Sequence, residues 1–486
     1  MSTSTLTMRL RDRDRQRFFV TYLGGKMLGT VAALGLIYSI GTLLVGQVAH
    51  ADEVSDQITS VVNATNTAWV LVASFLVFFM QAGFMMLEAG FARTREVVNI
   101  LQECIVDTCL CALLFWAFGF AFMFGSGNGI IGHEFFFLNG AEATYTYGGS
   151  FDTGVAFMAF FLFQFAFADT CSTITSGAMV GRTGFKGDLL YSIGVSGFIY
   201  PIIGHWVWGP GGWLQTPRGG DVWIRDFAGS TVVHTMGGMI ALAGAIALGP
   251  RLGRKFKRDG GGLPPGHDLT VAAIGGVILW FGWYGFNPGS TLSAMDIAGI
   301  GRVATNTTLA AAAGGLSAMA VVYWRIKKWD MGITINGFLG GLVAVTAPCY
   351  WVNSFGAVVI GLVGGLVVVF GIDLIEHLRI DDPIGAVAVH GCAGIWGTWS
   401  VGLFATGQFG VEGLFWGGGA EQLWSQVWGN AVVAVSALGA GLALMYGVKL
   451  TGTLRVSEDG ELEGIDIHEH GSPAYHPEVA YMGKGQ

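Results

Sequence analysis

Two histidines, His234 and His390, stand inside long apolar runs. Ionisable groups in such runs are rare and mark pathways, relays or ligand sites. Imidazole suits a relay: the neutral ring carries one donor and one acceptor, and its unperturbed pKa of about 6.5 lets it exchange a proton near neutrality. The surroundings of the two residues match. Asp226-Phe-Ala-Gly-Ser-Thr-Val-Val-His234-Thr-Met-Gly-Gly lies over Asp382-Pro-Ile-Gly-Ala-Val-Ala-Val-His390-Gly-Cys-Ala-Gly. In both, Asp and His are eight positions apart, about 12 Å along a helix. If each Asp stands near its own edge of a ~30 Å hydrocarbon core, both imidazoles arrive near the midplane. An aspartate there serves first as a helix cap, and this is the default for Asp382. Metal binding is the competing use of a histidine pair, but two ligands lacking a third and fourth make a weak site. No metal and no cofactor is expected.

The elements that must carry these residues follow from composition. Of 486 residues, 52% are hydrophobic and only 12% charged, against about 25% charged in an ordinary soluble domain. The apolar residues fall in runs near twenty long, so the expected fold class is an all-α polytopic membrane protein. A net charge of −8 leaves no basic footprint for nucleic acid. The six cysteines show no CxxC pairing, so neither a disulfide framework nor a zinc site is indicated. Glycine is in excess, at 78 residues, which points to closely packed helices.

Eleven candidate spans are read beyond residue 60: 68–91, 98–125, 154–181, 187–208, 226–249, 267–287, 304–324, 331–349, 354–376, 384–406 and 424–449. With the first entering from outside, the inward connectors and tail hold sixteen of the Lys and Arg residues and the outward loops three. That bias sets the bundle's N-terminus outside and its C-terminus in the cytoplasm, in the plasma (inner) membrane. The two histidine motifs are five helices apart and enter from opposite faces, the trace of a 5+5 inverted repeat with the eleventh helix left over. The expected organisation is a signal peptide or N-terminal membrane segment over 1–51, an outer segment over 52–66, the eleven-helix domain over 67–449 and a cytoplasmic tail over 450–486. Ala49-His50-Ala51 offers a cleavage site after the basic and apolar leader; an uncleaved twelfth helix is the other reading.

Four stretches, in order, resemble the motifs of the ammonium transporter family (Amt/MEP, distant kin of the Rhesus proteins), of the Amt type. They are Gln81-Ala-Gly-Phe-Met-Met-Leu-Glu-Ala-Gly90, the Asp226–His234 stretch, Gly282-Trp-Tyr-Gly-Phe-Asn-Pro-Gly-Ser290, and Asp381-Asp-Pro…Val-His390-Gly. The resemblance covers about residues 65–476. It implies a homotrimer, each subunit with its own narrow apolar pore, taking ammonium or ammonia as substrate. By position, Trp208 and Ser290 would line the outer recruitment site, and Phe167 and Phe286 would stack as a gate below it. His234 and His390 would be twin pore histidines, Asp226 the essential acid at the start of the fifth helix, and Trp283 part of the pore mouth. The tail, with Gly464-Ile-Asp-Ile-His-Glu-His470 and Tyr475, resembles the family's C-terminal motif; the family implies a PII-type regulatory protein as partner at that face. Asn287-Pro-Gly-Ser290 departs from the usual Asn-Ala-Gly-Ser, Arg93-Thr-Arg-Glu96 replaces the common Arg-Ala-Lys-Asn, and Asp169 occupies a position usually small and neutral.

The chemistry implied is discrimination by deprotonation. Potassium matches ammonium in charge and size but has no neutral form. A dry pore charges any unit cation an idealised ~20 kcal/mol, several after relaxation, and ammonia escapes most of it. The function expected is ammonium transport, with ammonia conducted and its proton relayed separately. A non-conducting or weakly conducting ammonium sensor is the alternative, and a Rhesus-like ammonia or carbon dioxide channel a third. No enzyme is expected, because no nucleophile–base pair accompanies the histidines.

Overall fold

Backbone polar groups inside hydrocarbon are satisfied only by helices or closed barrels, and this chain takes the helical route. The computed structural model describes residues 51–144, 154–215 and 222–475, with positions 17, 21, 24–26 and 28–36 of the leader. The chain divides into Met1–Ala64 and Thr65–Gln486. In the first unit the described leader positions are helical, with Leu28, Val31 and Leu34 exposed. Most of the expected cleavage site, Ala49 and His50, lies outside the described residues.

The long helices are α1 (Ala51–Phe91), α2 (Val97–Leu114), α3 (Phe157–Gly177), α4 (Phe185–Gly194), α5 (Met236–Leu248), α6 (Leu269–Phe286), α7 (Ile297–Ile326), α8 (Met331–Thr346), α9 (Ser354–His377), α10 (Ala393–Phe404) and α11 (Glu421–Leu450). Among the described residues ten helices are long and apolar enough to cross a membrane, and α8 is a shorter apolar helix of 16 residues. The protein is therefore a multi-pass, all-helical membrane protein; among the described residues there are no strands, only isolated bridges. Aromatic and aliphatic side chains such as Phe75, Leu113, Trp324 and Phe355 project from the bundle, an exterior suited to lipid rather than water.

Several spans are not plain α-helices. A π-helical turn joins α2 to Phe120–Phe124, and another joins α4 to Tyr200–Trp208. Two more, Ser230–Thr235 and Val387–Cys392, precede α5 and α10 and contain the two histidines. Sequence periodicity starts these spans at 226 and 384; the structure starts them at Ser230 and Val387. The aspartates explain the difference. Asp226 accepts hydrogen bonds from the backbone N–H groups of Gly229, Thr231 and Val232, each at 2.9 Å. Asp382 accepts from those of Ala386 and Val387, also at 2.9 Å. Each carboxylate sits before the helix and satisfies donors that the first turn leaves open.

Close helix contact depends on glycine at the α7–α8–α9 junction. A Cβ on Gly341 or on Gly361 would stand 2.2 Å from the Ala310 carbonyl oxygen, so no side chain fits at either place. At the face carrying the basic connectors, Arg182 is fully buried and donates to the Gly249 carbonyl at 2.9 Å. Asp381 accepts from Arg251 Nε at 2.8 Å and from Arg254 Nε at 3.1 Å. The tail folds back there as two short helices, α12 (Glu458–Glu463) and α13 (Ile465–His470). Asp466 Oδ1 accepts from the Asn99 backbone N–H at 2.9 Å, and His470 Nε2 lies 2.9 Å from Asn99 Oδ1.

Burial alone would raise the Asp381 carboxyl, but the charges of Arg182 and Arg251 and the hydrogen bonds from Arg251 bring it down from its ordinary 3.8 to about 2. A depressed carboxyl stabilises the fold fully above its unfolded pKa, and that stabilisation is lost as pH falls through the folded value. Thermal melts of the detergent-solubilised protein should therefore weaken between pH 3.8 and about 2. Asp381→Asn should flatten that limb and lower stability at pH 7 by about 3–5 kcal/mol, the cost of stranding buried guanidinium groups.

Candidate functional site

Two helix starts, α6 and the second segment of α4 converge on His234 and His390. Their Nδ1 atoms are 3.1 Å apart, a direct hydrogen-bond contact between the two rings. The ring centroids lie 5.2 Å apart at 22°. His234 is fully buried, and its Nε2 has no hydrogen-bond partner among the described residues. His390 is 6% exposed and borders a small cavity of about 20 Å³ on its far side.

The pair meets because backbone approaches backbone. A Cβ on Gly238 would stand 2.2 Å from the Gly391 nitrogen, so only glycine lets α5 cross the turn beside His390. Polar side chains hold the π turns in place. Ser230 donates to the Val343 carbonyl and accepts from the Ala347 N–H, both at 2.7 Å, which ties the His234 turn to the end of α8. Asn430 on α11 reaches Thr231, Thr235 and Thr398 at 3.2–3.3 Å.

Aromatic rings cover the His234 side. Trp283 stacks on His234 at 5.2 Å and 18°, and its Nε1–H donates to Thr346 at 2.9 Å. Phe286 lies 5.4 Å from the same imidazole and stacks on Phe167 at 4.1 Å and 24°. Trp208 packs edge-on to Phe167 at 5.9 Å, and its Nε1–H donates to the Asp226 carbonyl at 2.9 Å. Ser290 spends its hydrogen on the Phe286 carbonyl at 2.8 Å, leaving its oxygen lone pairs as acceptors. A continuous column thus runs Trp208, Phe167–Phe286, Trp283–His234, His390.

The structure brings seven of the eight singled-out residues into this column or against it. Asp226 acts at one remove, through the helix start below it and the carbonyl that fixes Trp208. Trp283, expected at the mouth, is fully buried and belongs to the histidine layer instead. Asp169 is fully buried beside Gln81 and Thr108, with neither carboxylate oxygen in hydrogen-bond geometry among the described residues.

Sequence reasoning passed over other residues. Glu88 and Asn336 line the cavity next to His390, and Glu103, Asp107 and Asp188 are buried in α2 and α4. All four carboxylates sit in apolar runs, so the rule that singled out the histidines applied to them equally.

Residues 68–475 match the model of the Ammonium Transporter Family. Ammonium transporter Amt2 of Archaeoglobus fulgidus is 45% identical over 425 residues, 84% of this chain and 87% of that protein. Ammonium transporter 1 member 3 of Solanum lycopersicum is 35% identical over 445 residues, 86% and 94% of the two chains. Among solved structures, one described as "Sensor Amt Protein" is 37% identical with a TM-score of 0.77, covering 85% of this chain and 99% of that one. Candida albicans Mep2 is 27% identical with a TM-score of 0.72, covering 82% and 87%.

The histidine bridge should be sensitive to Gly238. Gly238→Ala forces the Gly391 backbone away, at a cost of about 1–3 kcal/mol in stability, and parts the imidazoles beyond about 3.5 Å. An unchanged melt together with a variant structure keeping the bridge would contradict this packing account.

Proposed function

This chain belongs to the ammonium transporter family, and we propose that it recruits ammonium at an outer vestibule, strips one proton from it and conducts ammonia through an apolar pore while His234 and His390 pass the proton separately. The observation that carries this reading is the 3.1 Å contact between the two Nδ1 atoms.

Selection begins at Trp208 and Ser290. The indole offers cation–π attraction worth about 0.5–2 kcal/mol, and the Ser290 oxygen accepts a hydrogen bond that potassium cannot donate. Below them the stacked Phe167 and Phe286 close the way to hydrated ions. Moving a bare cation past these rings costs several kcal/mol even after relaxation, whereas ammonia carries no charge to desolvate.

The imidazole pair then divides the work. In the tautomer with the proton on His234 Nδ1, that proton bonds to Nδ1 of His390. His234 Nε2 is then a free acceptor on the Phe286 side, and His390 carries its own proton on Nε2. A proton gained at His234 Nε2, a shift of the bridging proton and release from His390 Nε2 move one charge without placing a lasting cation in the pore. Return to the starting tautomer closes the cycle. Trp283, stacked flat on His234, keeps the ring oriented for the bridge. Asp226 anchors the helix start that carries His234 and holds Trp208 through its carbonyl.

The same reading takes α8 as a full span, which makes eleven, and groups them as five plus five with α11 outside the repeat. The paired Asp-to-His motifs and the two π turns support that grouping. The sixteen-to-three distribution of Lys and Arg supports an outer N-terminus and a cytoplasmic tail. Family membership supports a trimer, with a PII-type protein as partner of the tail, and the basic and apolar stretch ahead of Ala49-His50-Ala51 supports a signal peptide or an N-terminal membrane segment over residues 1–51.

A second reading is favoured by one relative: the 37% identical structure described as a sensor supports binding without bulk transport. Uptake of labelled methylammonium into cells lacking their own transporters separates the two. Transport predicts saturable uptake by the wild type, with His234→Ala altering its rate by about tenfold or more. Binding without uptake in wild type and variant alike would establish the sensor.

A further inference from the structure

The cavity beyond His390 holds a carboxyl group that the pathway above does not use. Its lining is apolar except for His390, Asn336 and Glu88. Phe84 packs against the His390 ring with centroids 6.4 Å apart. Glu88 follows Phe84 by one helical turn on the same face of α1, about 6 Å further along the axis. His390 and Glu88 therefore stand at successive levels of one cavity, Glu88 nearer the basic connectors.

The state of that carboxyl is written in its contacts. Ser176 Oγ lies 3.3 Å from Glu88 Oε2 and 2.8 Å from the Thr173 carbonyl oxygen. A hydroxyl has one hydrogen, and a carbonyl can only accept. The shorter contact takes most of the Ser176 hydrogen, so Glu88 accepts at best a long, shared hydrogen bond from it. Glu88 is 2% exposed and forms no ion pair among the described residues. Asp188 acts on it electrostatically, Glu103, Asp107 and Cys104 are near enough to feel its charge, and the base that shares its cavity is His390. Buried among acids and apolar walls, with one long hydrogen bond from Ser176, a bare carboxylate there is costly.

We propose that Glu88 is the proton carrier of the inner cavity, taking the proton released by His390 and giving it to ammonia so that ammonium leaves. This rests on the histidine relay above. The steps balance. Ammonia emerging past His390 takes the Glu88 proton: an O–H bond breaks, an N–H bond forms, and ammonium departs from a carboxylate. That carboxylate then regains a proton through one water from His390 Nε2, as the bridging proton shifts and His234 accepts the next one from the outer ammonium. One ammonium disappears outside and one appears inside, with no other reactant.

The test uses the purified full-length protein in proteoliposomes, given an ammonium pulse while charge movement and lumenal pH are both recorded. The wild type is expected to give an inward positive current with little lumenal alkalinisation. Glu88→Gln keeps the size and hydrogen-bonding shape but cannot cycle a proton. Its current should fall by about a hundredfold, the lower range for losing a positioned acid–base group, while ammonia still enters and the lumen turns alkaline. Glu88→Asp should restore part of the current. Glu88→Gln with wild-type current overturns the proposal. So does loss of both current and alkalinisation in a variant that melts like the wild type, since that marks a role in pore shape. Absence of current in the wild type defeats the relay itself, and is distinguishable because it does not depend on Glu88.

Discussion

One hydrogen bond between two imidazoles, enclosed by apolar and aromatic walls, is the constraint around which the rest of the molecule is arranged. In water such a contact is worth little, because water replaces it at no loss. Among buried apolar and aromatic neighbours the alternatives are fewer, and the 3.1 Å contact from Nδ1 to Nδ1 is the polar link between the two helix starts.

Holding two rings at that distance takes most of the fold's unusual features. Both helix starts are wound as π turns, and both are fastened by an aspartate placed before the helix. Gly238 permits backbone contact that any side chain would prevent. Ser230, Asn430 and the threonines around them satisfy backbone and hydroxyl groups that would otherwise be stranded in the bundle. Away from the pore, the Asp381 and arginine cluster and the folded tail pin the connectors. The histidine pair is thus held by polar neighbours packed behind it, while the rings stacked on His234 are aromatic.

Part of this was legible in the residues alone. His234 and His390 announce themselves as ionisable groups in apolar runs, and the matching aspartates eight positions earlier point to equal depth. The spans were legible too, because twenty apolar residues leave few alternatives to a membrane helix. What hydropathy cannot carry is hydrogen-bond register. It starts the fifth span at 226 where Asp226 in fact lies ahead of a π turn, and it cannot tell that Trp283 lies flat on His234 rather than at an entrance. Glu88, Glu103, Asp107 and Asp188 carried the same polar signal as the histidines. They had no internal repeat to make them conspicuous, and only three-dimensional packing places Glu88 in the cavity with His390. Asp169 was conspicuous by type, and its surroundings became clear only once Gln81 and Thr108 were seen beside it.

The account stands on the claim that charge crosses as a proton over the imidazoles and never as a bare cation through the pore. Recording currents from the wild-type protein in proteoliposomes, with potassium supplied in about hundredfold excess over ammonium, addresses it most directly. The account predicts that ammonium alone drives current and that the excess potassium neither carries nor blocks it, in keeping with a desolvation penalty of several kcal/mol for any ion without a neutral form. A potassium current of comparable size would contradict it.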